Sequence, residues 1–276
     1  MPCQPLPLLC SCLFALGLLA ACAPEASTPD PAAEEPPAAS PPSGIDPAIL
    51  DHAARSEDDH YRDSGFRPLK VYEFFGIEPD MHVADMMPGG GYNTVLLSQI
   101  VGEAGKVTAL LSARPGDDPE RGQRTHDRLT ERVDPFGLDN LEVVADPSTM
   151  PDDSVDVLLT VRNYHDLGSA EDRMGVLPEL MRILRPGGIF AVVDAYTDKA
   201  DERDETVHRI NDELTKAEIT ASGFEFVEAS DILVNPDDTY DFDGRERAGR
   251  RGATEDAPIH RYYVYRFVHK YRKPMQ

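Results

Sequence analysis

Three groups of residues have the types and spacing to do chemistry. Asp85 lies four residues before Gly89 in the run Val83-Ala84-Asp85-Met86-Met87-Pro88-Gly89-Gly90-Gly91, a carboxylate followed by a glycine turn. Residues without a side chain let backbone approach a ligand closely, and Gly89 and Gly91 also satisfy a need for positive φ whether or not anything is bound. Asp146, in Val143-Val144-Ala145-Asp146-Pro147, is a second acid at the end of an apolar run. Either acid can touch a ligand or cap the segment after it. The third group is Arg162-Asn163-Tyr164-His165-Asp166. A neutral imidazole, with a pKa near 6.5, can take a proton from an oxygen, nitrogen or sulfur acceptor, with Asp166 or Asn163 to orient it. The plainer alternative has His165 bonding a loop while Tyr164 packs.

Other chemistries fail on spacing. A dinucleotide fingerprint needs a third glycine where Thr94 stands, and a Walker A loop needs a Lys that Gly91-Tyr92-Asn93 does not supply. Cys3, Cys10, Cys12 and Cys22 all lie in the first 22 residues, so nothing downstream can form a thiolate metal site or a Cys nucleophile. The eight His include no H-x-x-x-H pair. Asp237, Asp238, Asp241 and Asp243 precede Gly244, but an EF-hand aligned on that glycine puts Arg250 where a bidentate Glu is needed. No metal is expected. Arg245, Arg247, Arg250 and Arg251 form a basic cluster read as a loop folding back on an acidic surface. With 50 acidic against 27 basic side chains and a net charge of −23, the 276-residue chain repels nucleic-acid phosphates. A small-molecule substrate, a cation or a basic protein is the kind of partner this balance favours.

The elements that position these residues follow from apolar periodicity. Helices are expected over 47–55 and 68–75, a strand over 82–87 leading into the glycines, and a helix striped by Tyr92, Val95, Leu96 and Ile100. Strands over 106–111, 141–145, 155–161 and 189–194 alternate with helices over 119–133 and one striped by Leu177, Leu180 and Leu184 that Arg185-Pro186-Gly187-Gly188 must end. A further helix is striped by Val207, Ile210, Leu214 and Ala217, and strands over 224–229 and 262–269 close the chain. This alternation specifies an α/β fold, a mostly parallel sheet with helices on both faces and an antiparallel last strand.

Residues 6–21 are apolar and uncharged, about the length of a signal-peptide core, and end in Leu19-Ala20-Ala21-Cys22. That tetrapeptide resembles the lipobox of bacterial lipoproteins, which implies cleavage before Cys22, a lipid on Cys22, and a periplasm-facing protein of the cell envelope, with the outer membrane weakly favoured by Ala23. Residues 22–44 hold seven Pro and read as a disordered tether reaching at most about 70 Å at ~3.1 Å per residue. The folded domain is 45–276.

The run Asp85 to Gly91 resembles the first motif of class I S-adenosylmethionine-dependent methyltransferases. Asp146, the segment Met150 to Val157 (MPDDSVDV), and Leu184 to Gly188 (LRPGG) resemble later motifs of that family in order. Over Ser56 to Lys270 the chain is also similar to bacterial proteins of this type that carry secretion signals. The resemblance implies a seven-stranded Rossmann-like sheet and S-adenosylmethionine as cofactor, with Asp85, Gly89, Gly91, Asp146 and Asn163 binding it and His165 as general base. Two positions depart from it. The second strand ends Leu110-Leu111-Ser112, with no acid for the ribose hydroxyls until Asp117, a loss of ~1.5–3 kcal/mol unless Ser112 or Asp117 substitutes. Ala195 stands after Asp194 where many relatives have His. Asp194 remains a candidate substrate contact, and Asp58 to Arg62 a candidate lid. The alternative is an envelope lipoprotein that keeps the fold as a non-catalytic ligand-binding or interaction module.

Overall fold

Short apolar runs buried on both faces build the centre of the sheet. The computed structural model describes residues 44–112, 119–199, 203–204, 207–240 and 264–275. The leader, Cys22, the tether up to residue 43, Asp117, and the acids and arginines of 241–251 lie outside the described residues. The strands are β1 (His82–Met86), β2 (Lys106–Leu110), β3 (Leu141–Val144), β4 (Val155–Val161), β5 (Leu184–Ala195), β6 (Glu225–Ser230) and β7 (Arg266–Arg272). They form one sheet in the order β3-β2-β1-β4-β5-β7-β6. The first five are parallel, and β7 runs antiparallel to both β5 and β6. This is the Rossmann-like sheet expected, with β4 at its middle and β1 beside it.

Helices α1 (Glu57–Phe66), α2 (Pro68–Phe75), α3 (Tyr92–Val101), α4 (Pro119–Val133), α5 (Ala170–Ile183) and α6 (Asp212–Ala221) flank it. Because side chains alternate across a strand, Val83, Val157 and Leu159 face Tyr72, Phe75 and Leu96 of α2 and α3. On the other face Met86, Leu158 and Phe190 meet Leu177, Leu180 and Ile219 of α5 and α6. α4 packs Leu129 and Val133 against Val95 and Ala109.

Three boundaries differ from the periodicity. Residues 47–55 make only a 3-10 turn, Pro47–Asp51, capped by Asp46, and the chain turns out of it at His52. The helix expected from Val207 starts instead at Asp212, because the Asn211 side chain accepts from the Leu214 N–H at 3.0 Å and fixes the first turn there. Arg209–Ile210 instead pair with Arg203–Asp204 in a two-residue ladder. Leu184 to Gly188 belongs to β5, with Leu184 opposite Val155 and a register shift absorbing the irregularity.

Arg209 ties this irregular region together. Its guanidinium is fully buried and donates to both oxygens of Asp238, at 2.8 and 3.0 Å, and Asp238 is equally buried. Asp238 also accepts from the Tyr240 and Tyr265 N–H groups at 3.0 and 2.6 Å. Removing one partner strands a buried charge. Asp238→Ala is therefore expected to lower unfolding free energy by ~3–5 kcal/mol in denaturant titration; a loss below ~1 kcal/mol, as for a surface pair, would contradict this role.

Candidate functional site

The site is built at the carboxyl end of β1, where the sheet hands the chain to α3. Met87, Gly89 and Gly91 all have positive φ, at 55°, 58° and 80°, and the Gly91 N–H closes a turn onto the Pro88 carbonyl at 2.9 Å. The two glycines serve different ends. A Cβ on Gly91 would stand 2.6 Å from Leu129 Cδ1, so this residue lets α4 approach the start of α3. A Cβ on Gly89 would meet nothing within 4 Å, so backbone there is open to a ligand.

Asp85 is 1% exposed and works from beneath this turn. Its Oδ2 accepts from Thr94 Oγ1 at 2.6 Å. Burial pushes its carboxyl up to about 7, against the opposing pull of hydrogen bonds from Thr94 and Asn93. Asn93 Oδ1 in turn accepts from the Tyr72 hydroxyl at 2.9 Å, which joins α2 to α3. Asn163, on the loop after β4, donates through Nδ2 to the Met86 and Met87 carbonyls at 2.9 and 3.2 Å. Asp85, Gly89, Gly91 and Asn163 thus meet in one turn.

The segment ahead of β1 covers that turn. Asp59, in the candidate lid segment, is buried, closes a capping box with Ser56 and pairs with Arg132 of α4. Arg132 also donates to the Gly90 carbonyl at 2.6 Å and the Ala54 carbonyl at 3.0 Å. Arg55 and the Tyr92 hydroxyl both bond Asp63. Alongside lies an apolar cleft walled by Phe66, Val71, Tyr72, Val161, Val193 and Leu233.

His165 is held by a residue other than those expected to orient it. Its Nδ1 lies 2.7 Å from Asp194 Oδ1 and its backbone N–H donates to Asp194 Oδ2 at 2.9 Å. Burial alone would raise the Asp194 carboxyl, but the His165 charge and the hydrogen bonds from His165 and Ala195 hold it below the ordinary range. His165 Nε2 is buried, stands 3.4 Å from Asp166 Oδ1, and among the described residues makes no hydrogen bond. The His208 ring packs against it with centroids 5.9 Å apart. Asp194 was legible as a strand-end acid; its role needed the register that sets Val161 beside Val193.

Asp146 stands apart, at the end of edge strand β3, where it caps a 3-10 turn by accepting from the Ser148 N–H at 2.8 Å. Ser112 is buried just past β2, where the ribose acid of the resemblance is missing. No group of three His, Cys, Asp or Glu suited to a metal ion occurs among the described residues.

Comparison with known proteins agrees with this geometry. Residues 88–192 match the family model of a methyltransferase domain. The chain shares the Rossmann-like fold of a solved SAM-dependent methyltransferase. A solved SAM-dependent methyltransferase from Aquifex aeolicus superposes with a TM-score of 0.55 at 21% identity, covering 83% of this chain and 99% of that one. The cyclase SpnF superposes at 0.54 with 17% identity, over 82% of this chain and 86% of its own. At these identities the likeness shows the fold.

The buried carboxyl of this domain gives a signed pH dependence. Asp85 keeps its proton to about 7 in the folded chain but ionises near 4 when unfolded, so its contribution is complete below about 4 and lost as pH rises to about 7. Relative to Asp85→Asn, the wild-type chain is expected to lose stability across that window at up to ~1.4 kcal/mol per pH unit, then level off. Thermal unfolding from pH 4 to 8 checks this; a difference constant with pH would contradict it.

Proposed function

We propose that the protein is an S-adenosylmethionine-dependent methyltransferase of a small-molecule acceptor, held at the cell envelope by a lipid on Cys22. The observation that carries this reading is the open backbone at Gly89, in a positive-φ turn fixed by Asp85 below and Asn163 at its side. Such a turn at the carboxyl end of an interior parallel strand is where an open α/β sheet takes a ligand. Gly89 and its neighbours would hold the amino-acid end of the cofactor, and Asp146 the adenine end, as the family resemblance implies. When bound, this cofactor supplies a methyl group on a sulfonium.

The chain's own residues supply alignment, exclusion of water and a place for a proton. With Nδ1 donating to Asp194, His165 carries its lone pair on Nε2, the atom that receives the acceptor's proton. Asp194 stabilises the imidazolium that results. Asp166 and His208 cover Nε2, so an acceptor reaches it only when that cover moves. The α1 segment, clasped by Arg132 and Tyr92, packs beside the turn and favours a close approach of reacting groups.

One observation favours a second reading, a non-catalytic ligand-binding module: β2 ends in Leu110-Leu111-Ser112 without an acid. A cyclase on the same fold is a reminder that function belongs to the site. Thermal unfolding of the full chain separates the two. S-adenosylmethionine or S-adenosylhomocysteine at ~100 times its dissociation constant should add about 2.7 kcal/mol, roughly 5–10 °C, in wild type and in His165→Asn, but not in Gly89→Val. No shift in the wild type would overturn the methyltransferase reading. The address is tested by labelling cells with a radioactive fatty acid: label on the wild type that disappears in Cys22→Ser is expected, and an unlabelled wild type would contradict it.

A further inference from the structure

Arg182, in the last turn of α5, commits its whole guanidinium to the turn that follows β3 and to its own helix. Nη2 donates to the Pro147 carbonyl at 2.9 Å and Nη1 to the Met150 carbonyl at 2.8 Å. Nη1 also donates to Asp152, while Nε and Nη2 donate to the two oxygens of Glu179 at 3.1 and 2.6 Å. A guanidinium carries five N–H donors in one plane, and here each has its acceptor. The backbone adds a further tie, since the Arg182 carbonyl accepts from the Asp153 N–H at 3.0 Å. One half-buried residue thus holds the chain at 147, 150, 152 and 153, and Glu179 fixes the direction of its fork.

The turn so held is the one that presents Asp146. β3 is an edge strand paired only with β2, so the turn after it has sheet on one side alone. Within the turn, Asp146 Oδ1 accepts from the Ser148 N–H at 2.8 Å, and the Asp146 carbonyl accepts from the Thr149 hydroxyl and N–H at 2.7 and 3.1 Å. These local bonds set the Asp146 carboxylate relative to the turn; Arg182 sets the turn relative to α5. We propose that Arg182 is a positioning residue for base recognition: by fixing the 147–150 turn it places Asp146 to accept a hydrogen bond from the exocyclic amine of the cofactor's adenine. This rests on the methyltransferase reading, which puts the adenine end at Asp146, and adds the residue that makes that contact selective. A carboxylate only accepts, so it favours a purine with an amine at that position over one with a carbonyl oxygen. Its preference depends on where it is held. Lys does not replace Arg182 here, because an ammonium has three donors and no planar fork to span two carbonyls and two acids.

Titration calorimetry of the full chain with S-adenosylhomocysteine and S-inosylhomocysteine, which differ in the purine amine alone against a carbonyl, tests this. The wild type is expected to prefer the adenosyl ligand by at least ~10-fold, and Arg182→Lys and Arg182→Gln to narrow that preference below ~3-fold. Amide exchange of the ligand-free chain gives a second readout. Exchange at Ser148, Thr149 and Met150 is expected to quicken in Arg182→Lys while that of α3 stays as it is, and unchanged exchange at those three amides would contradict the proposal. An equal loss of affinity for both ligands, with the preference kept, would mark Arg182 as merely structural and overturn it. So would a wild type that binds both ligands equally, which leaves the cofactor site standing but removes recognition of the base. A wild type that binds neither ligand defeats the methyltransferase reading, and this proposal falls with it.

Discussion

Asp85 carries a carboxyl into the interior at the end of β1, and burying it costs enough that it holds its proton to about pH 7. The groups that offset this cost also build the site. Thr94 and Asn93 lie in the first turn of α3, so bonding them sets where that helix starts relative to β1. Asn93 then takes the Tyr72 hydroxyl and brings α2 into line. Asn163 reaches across from β4 to hold the two carbonyls at the top of β1. The glycine turn is left little freedom, with its one open side at Gly89.

Charge is organised in two layers around that turn. The outer layer is the acidic α1 segment, whose buried acids are met by Arg55 and Arg132 rather than left to solvent. The inner layer, at the ends of β4, β5 and β7, holds the His165–Asp194 pair and the arginines Arg162, Arg209 and Arg266. An apolar cleft lies between the turn and these groups.

Much of the sheet was legible because parallel strands buried on both faces have to be apolar runs, and β1, β2, β4 and their glycine turn stand out as such. Helix boundaries read less well where spacing alone was used. Val207 and Ile210 fall at helical intervals, yet the cap offered by Asn211 is a local interaction that begins α6 after them. The partners of candidate residues were not legible at all. His165 and Asp194 are 29 residues apart and meet only through the β4–β5 register. Arg132 sits in a helix so charged that it reads as solvated, although it reaches three elements at once.

The central claim is that the turn after β1 is a cofactor site. A crystal structure of the full chain grown with S-adenosylhomocysteine tests it most directly. The account predicts the amino-acid end of the ligand against the backbone of Gly89 and its adenosine on the side of β2 and β3, toward Asp146. A ligand bound elsewhere, or a turn left empty at millimolar ligand, would contradict it.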